Sequence, residues 1–318
     1  MSTVTDTLAG EYAALTERVG LVDRSERGKL ALTGSEAREF LHGQVSNDIE
    51  ALEPGRGCYA AFLTPKGKML GDLRVLHLGD ELFLDTERVS LQALFNMIRN
   101  YKLGRDVELH KRTVERGLLS LVGPGAREAA GAEGLGPDEH DNAAGQIGGV
   151  PVRLVATAAG VDLICDAERT EEVRAALVGA GAIEVGEPAA ELLRVERGRP
   201  RYGLDLDDSV IPQEAALNER AVSFTKGCYV GQETVARLYY RGKPNRHLRG
   251  LRLSGPAATG DELRLGERVV GRLGSSVVSP ALGPIALAIV RREAAPGDTV
   301  AVGDSGVTAT LVELPFRE

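Results

Sequence analysis

The run Lys226-Gly227-Cys228-Tyr229-Val230-Gly231-Gln232-Glu233 sets a thiol, a cation and two glycines at what the pattern predicts to be the entrance to a helix. Thr234-Val235-Ala236-Arg237-Leu238 supplies that helix, and Gly231 can take a backbone conformation closed to most residues. Cys228 then sits just outside the first turn. A helix N-terminus carries partial positive charge and Lys226 adds a full one, and both favour thiolate, the form that attacks or ligates, over thiol. The other local reading makes Cys228 a small buried apolar residue between turn glycines.

Outward from this run, the 318-residue chain is long for one hydrophobic core, so two or three compact units are expected. A hydrophobic share of 43% with 26% charged residues is ordinary for a soluble protein. No stretch approaches the ~18–20 apolar residues of a membrane span. Thr3, Thr5 and Asp6 precede an amphipathic segment without the basic start and apolar core of a secretory signal, so a cytoplasmic protein is expected. The net charge of -8 argues against broad nucleic-acid binding, which relies on clustered Lys and Arg. Cys58, Cys165 and Cys228 are far apart with no C-x-x-C pair, which suggests neither a disulfide framework nor a cluster site held by this chain alone. There is no phosphate loop, no G-x-G-x-x-G after a strand and no H-E-x-x-H.

In chain order, Leu8, Tyr12, Leu15 and Val19 recur at helical spacing, and Lys29 to Thr33 reads as a strand. Ser35 is a suitable N-cap for a helix presenting Phe40 and Leu41 inward. Tyr59 to Leu63 and Met69 to Leu78 read as strands joined by a Pro- and Gly-containing turn, with Asp72 sharing a face with Leu70 and Arg74. Read locally, Asp72 is a solvated strand residue. Glu81 to Asp85 reads as a strand, and Val89, Ala93, Leu94, Met97, Ile98 and Tyr101 mark one face of a helix. Leu118–Val122, Val150–Val155 and Val161–Cys165 read as strands, and Glu168–Leu177 as a helix. Ala130 to Gln146 is Gly- and Ala-rich and reads as an exposed loop, with Glu139, His140 and Asp141 solvated rather than metal-ligating. A helix is expected from Pro188 to about Glu196. Beyond Asn245, apolar runs at Leu248–Leu253, Val269–Leu273, Ile285–Val290 and Thr308–Val312 between Gly- and Pro-containing turns predict a small antiparallel β-barrel.

The octapeptide resembles the K-G-C-[FY]-x-G-Q-E signature of the YgfZ-type proteins, a branch of the folate-binding superfamily that also contains the T-protein (aminomethyltransferase) of glycine cleavage. Leu193-Arg194-Val195-Glu196-Arg197-Gly198 is similar to the family's R-[LV]-E-x-G element, and Tyr202 to Asp207 to its Tyr-Gly-x-Asp-(Met/Leu)-Asp segment. Ser46-Asn47-Asp48 resembles a Thr-Asn-Asp triplet, and the runs 266–269 and 279–288 resemble the T-protein barrel. The resemblance spans nearly the full chain. It implies an α+β fold with two ferredoxin-like folate-binding halves and a C-terminal antiparallel β-barrel. The expected domains are 1–245, with halves 1–110 and 111–187 and a returning segment 188–245, followed by a barrel at 246–318.

The same resemblance implies tetrahydrofolate, or a one-carbon derivative, as cofactor. Matching the flanking strands puts Asp72 on the family's catalytic aspartate and Tyr59 on a tyrosine beside the folate. Glu196 falls on the glutamate that faces the pterin, where one carboxylate can accept from two adjacent N–H groups. Asp85 ends its strand where T-proteins carry a ligand-facing asparagine, and Lys226, Tyr229 and Arg237 join the folate-contacting set. Cys228, with Asp72, is the expected chemical centre. For the YgfZ branch the resemblance implies a role in making or maintaining iron–sulfur clusters, including those of tRNA-modifying enzymes, with client or assembly proteins as partners. Two alternatives stand beside it: an aminomethyltransferase or other one-carbon enzyme, and a non-catalytic folate-binding scaffold. T-proteins carry a long G-Y-T-G-E-D-G-F-E loop where this chain has only Thr157-Ala158-Ala159-Gly160-Val161-Asp162.

Overall fold

The computed structural model describes residues 2–316, with side chains from 7 onward. The chain forms two compact units, Met1–Leu63 with Leu70–Ala190 and Arg220–Val230, and Thr64–Met69 with Glu191–Glu219 and Gly231–Glu318. It is an α+β protein.

The first unit holds two sheets. One has five strands in the order Gly57–Leu63, Met69–His77, Leu82–Thr86, Gly28–Thr33 and Glu108–Lys111. The other has six, in the order Ile183–Glu184, Gly20–Asp23, Arg116–Val122, Gly160–Asp166, Val150–Thr157 and Asn142–Ile147. Each sheet buries one face under its own helices. In the five-stranded sheet Phe40 and Leu41 of helix Ala37–Gln44 and Leu94 and Ile98 of helix Leu91–Tyr101 close the core. Each such side chain contributes roughly 1.5–3 kcal/mol by leaving water. The stripe expected on the second helix is buried only at its centre: Val89, in the 3-10 turn Arg88–Ser90 before the helix, and Tyr101, its last residue, are exposed. Ser35 does not cap the first helix; its hydroxyl and N–H both donate to Asp106, at 2.6 and 2.9 Å, and Glu36 occupies the cap position.

Between the sheets Leu76, Phe83, Leu118, Val155 and Ile164 form a smaller apolar cluster. Strand Met69–His77 is therefore covered on both faces, and Asp72, with Arg74, is buried where strand alternation suggested a solvated side. The buried charges are paired. Arg74 donates to Asp162 at 2.6 Å and lies 2.8 Å from Asp85, which accepts a second bond of 2.8 Å from Arg27. Lys29, fully buried, donates to the carbonyls of Ser25 and Arg27.

The segment 130–146 departs from its expectation. Residues Asn142–Ile147 form an edge strand paired with Val150–Thr157, and His140 and Asp141 are buried rather than solvated. Small residues leave little periodic signal in such a strand, while its pairing comes from backbone groups that every residue carries.

The second unit is built on a closed six-stranded barrel, ordered Arg246–Leu253, Gly283–Arg291, Arg268–Ser279, Glu262–Leu265, Thr299–Val302 and Val307–Val312. Closure leaves no free sheet edge. Val195 packs against barrel residues Leu248, Ile285 and Leu287. Asp205 accepts from Arg194 at 2.8 Å and from the Ser275 N–H at 2.7 Å. Helix Gln232–Arg241 is entered through Gly231 at φ 85, the left-handed conformation that its glycine allows. Among the described residues no helix is long and apolar enough to cross a membrane.

Candidate active site

The site is best built from Ser46-Asn47-Asp48, which as a sequence looks like an ordinary turn. The Ser46 hydroxyl accepts from the Ala61 N–H at 2.9 Å and donates to the Ala221 carbonyl at 2.6 Å. The Asn47 amide donates to the carbonyls of Tyr59, at 2.8 Å, and Arg220, at 3.4 Å. Two short side chains thus hold strand Gly57–Leu63 and the short helix Asn218–Ala221 in fixed register.

That register stacks the Arg220 guanidinium 4.9 Å over the Tyr59 ring. The Tyr59 hydroxyl donates to Asp72 Oδ2 at 2.7 Å, and the Thr86 hydroxyl fixes the Asp72 backbone carbonyl at 2.5 Å. Preceding Asp72, Gly71 has no room for a side chain, since a Cβ there would lie 2.5 Å from Phe62 Cζ. Burial pushes the Asp72 carboxyl up to about 6, against the pull of the Tyr59 hydrogen bond and of Arg27 and Arg220, with Glu87 pushing the same way as burial. A carboxyl so placed exchanges its proton near neutral pH. Burial and the adjacent Asp72 raise the Tyr59 phenol well above its ordinary value, so it remains a donor.

Tyr59 is also in the wall of a cavity of about 270 Å³, which Gly57, Cys58, Glu139, His140 and Arg220 complete. Glu139, His140 and Arg220 were not expected there. Glu139 and His140 sat in a stretch read as solvated loop, and Arg220 carried no motif at all.

The other expected residues are placed differently. Asp85 is buried between Arg27 and Arg74; although burial raises its pKa, those two cations hold it below the usual carboxylate range. Both its oxygens are used inside the protein, and its part is to order the arginines. Lys226 is turned inward, away from the role expected for it. Its ammonium donates to the carbonyls of His42, Val45 and Asn47, the last two at 2.8 Å, and lies 5.0 Å over the Tyr229 ring. All three donors are consumed, so Lys226 locks the Cys228 segment to 42–47 and is not spare to bind a ligand. Burial lowers its pKa to about 8 and raises that of Tyr229, equally buried, to about 12.

Cys228 is exposed, and the helix begins only at Gln232. Cys58 is pushed up to about 12 by burial despite the nearby Lys226 charge, and burial also raises Cys165. Glu196 and Arg237 belong to the second unit, where Glu196 accepts from the Ser279 hydroxyl and Arg237 is exposed on its helix. Among the described residues no group of His, Cys, Asp and Glu has the arrangement of a metal site.

Comparison with known proteins is decided by the coverage. The GCVT N-terminal domain matches residues 1–226, and the glycine cleavage T-protein C-terminal barrel domain matches residues 246–317. The chain belongs to the GCVT family. An aminomethyltransferase of Streptomyces coelicolor is 30% identical over 329 residues, covering 96% of this chain and 88% of that protein. A chloroplastic transferase-like protein of Arabidopsis thaliana is 28% identical, over 95% of this chain and 72% of its own length. The glycine cleavage system aminomethyltransferase T of Bartonella henselae superposes with a TM-score of 0.87 at 24% identity, covering 98% of this chain and 90% of that structure. This GCVT-family protein is thus aminomethyltransferase-like in both of its matched parts. Its strands Val150–Thr157 and Gly160–Asp166 are joined by a two-residue turn, Ala158-Ala159.

Proposed function

We propose that this GCVT-family protein binds tetrahydrofolate and that Asp72 works beside the ligand as proton acceptor or charge stabiliser for its N5/N10 region. The observation that supports this reading is Asp72 itself: a buried carboxyl poised at about 6 and hydrogen-bonded by Tyr59, a residue of the cavity wall. Active sites are where burial is used to bring a carboxyl's pKa toward the working pH. Tyr59 fixes the carboxyl's orientation, and Asn47 fixes Tyr59. Bound folate would supply the one-carbon unit or its acceptor nitrogen; the protein supplies orientation and the mobile proton. Calorimetric titration of tetrahydrofolate into the wild-type protein tests the reading. Saturable binding with one site per chain supports it, and absence of heat and of any thermal stabilisation at millimolar ligand overturns it.

Within that reading, the cellular role we favour is participation in iron–sulfur cluster assembly or repair rather than aminomethyl transfer to a lipoyl arm. Two observations support it: the exposed Cys228 within Lys226–Glu233, and the two-residue turn that leaves no loop for a transferase substrate. A thiolate there could ligate iron transiently or relay sulfur to a client protein. In cells lacking the gene, Cys228→Ser is expected to fail to restore iron–sulfur enzyme activity although the purified variant still binds tetrahydrofolate. Full restoration by the serine variant would remove the thiol from the account and put the non-catalytic folate-binding scaffold in its place.

A further inference from the structure

The helix Gln232–Arg241 of the second unit ends in a face for which neither folate nor Cys228 gives a use. Arg237, Tyr240 and Arg241 recur on one side of it at helical spacing, Lys243 follows just past its end, and all four are exposed. Tyr240 is 66% exposed, and Tyr239, whose ring meets it edge-on with centroids 5.0 Å apart, is 49% exposed.

The charge there is of one sign. Between Glu233 and Asp261 the sequence has no acidic residue, while Arg237, Arg241, Lys243, Arg246, Arg249 and Arg252 all fall in that span. Arg246 and Arg249, on the first barrel strand, are paired with Glu214 at 2.8 Å and Glu313 at 3.1 Å. Arg237, Arg241 and Lys243 have no ion-pair partner among the described residues, and not even Glu233, one turn before Arg237, reaches it. Like charges four residues apart work against a helix. The negative end of the helix dipole accounts for cations in and after the last turn, but neither for Arg237 nor for two tyrosine rings left in water. Tyrosine beside arginine on an open surface is the composition of the residues that carry most of the energy of protein–protein contacts.

The extent of the face restricts what can cover it. A nucleic-acid strand carries a charge at every nucleotide and would run beyond three cations onto a protein of net charge -8, which repels it. A short acidic protein segment matches the face in size, with carboxylates for the cations and an aromatic side chain for the rings.

We propose that the face formed by Arg237, Tyr239, Tyr240, Arg241 and Lys243 docks an acidic segment of a partner protein, with carboxylates on the three cations and an aromatic side chain against the tyrosines. Neither the folate reading nor the role of Cys228 is needed for it.

The test is fluorescence anisotropy of the full chain with three short labelled probes: a peptide of glutamate and phenylalanine, the same peptide with lysine for glutamate, and single-stranded oligouridylate. The acidic peptide is expected to bind saturably, more weakly as salt is raised, and about tenfold or more tighter than either of the others. Arg237→Gln combined with Arg241→Gln should weaken it by about tenfold or more, and Tyr240→Ala by several-fold. These are exposed positions, where folding tolerates substitution. Absence of saturable binding by the acidic peptide, equal binding of the lysine peptide, or unchanged affinity in either variant would overturn the proposal. Tighter binding of oligouridylate would overturn it too, by assigning the face to nucleic acid.

Discussion

Replacing Asp72 by Asn is expected to make the protein more stable at pH 8 while removing its acid–base function. The folded-state pKa of about 6 lies above the ordinary 3.8 because burial penalises the charged carboxylate. A group raised in this way contributes its full stability below about pH 4 and loses that contribution as pH climbs through 6. Above about pH 7 the ionised Asp72 therefore costs roughly 2–3 kcal/mol, at about 1.4 kcal/mol per pKa unit. Asparagine is spared that cost and can still accept from the Tyr59 hydroxyl. Urea midpoints should coincide most nearly at pH 4 and diverge in favour of Asp72→Asn toward pH 8. A difference that stays constant with pH, or a wild type more stable at pH 8, would show that the carboxyl is not strained by burial. Any reaction that uses this proton should fall by about 10²–10⁴, the usual contribution of a positioned acid or base.

The second large effect is expected at Lys226. Lys226→Met keeps the stem of the side chain but strands the carbonyls of His42, Val45 and Asn47, which share one ammonium. Losing charge-assisted bonds and leaving buried acceptors unpaired should cost on the order of 2–4 kcal/mol. The loss should appear in urea denaturation and, in native protein, as faster proteolysis near Cys228, because the lysine is what ties that segment down. A cost below about 1 kcal/mol would mean that the carbonyls find other donors at little expense.

These two residues also show what a sequence discloses and what it withholds. The barrel was legible because its longer strands are apolar runs set between Gly- and Pro-containing turns. The short strands Glu262–Leu265 and Thr299–Val302 were not, since four residues are too few to establish a period. Gly231 was legible as a residue needed for its conformation, and its φ of 85 agrees. The surroundings of Asp72 were not, because alternation tells which residues share a face but not that a second sheet covers it. Lys226 is the plainest case. Adjacency in sequence to Cys228 suggested an electrostatic partner, whereas three carbonyls 179–184 residues away claim the ammonium. His140 and Arg220 reach one cavity only through long-range pairing, for which neither leaves a local mark.

The account centres on Asp72 as the group that meets a folate, and a crystal structure of the protein with bound tetrahydrofolate tests it most directly. The Asp72 carboxyl should lie within hydrogen-bond reach of the N5/N10 region, about 2.6–3.2 Å, or be joined to it by one water. A folate bound with its reactive nitrogens beyond a water-bridged distance from Asp72 would contradict the account.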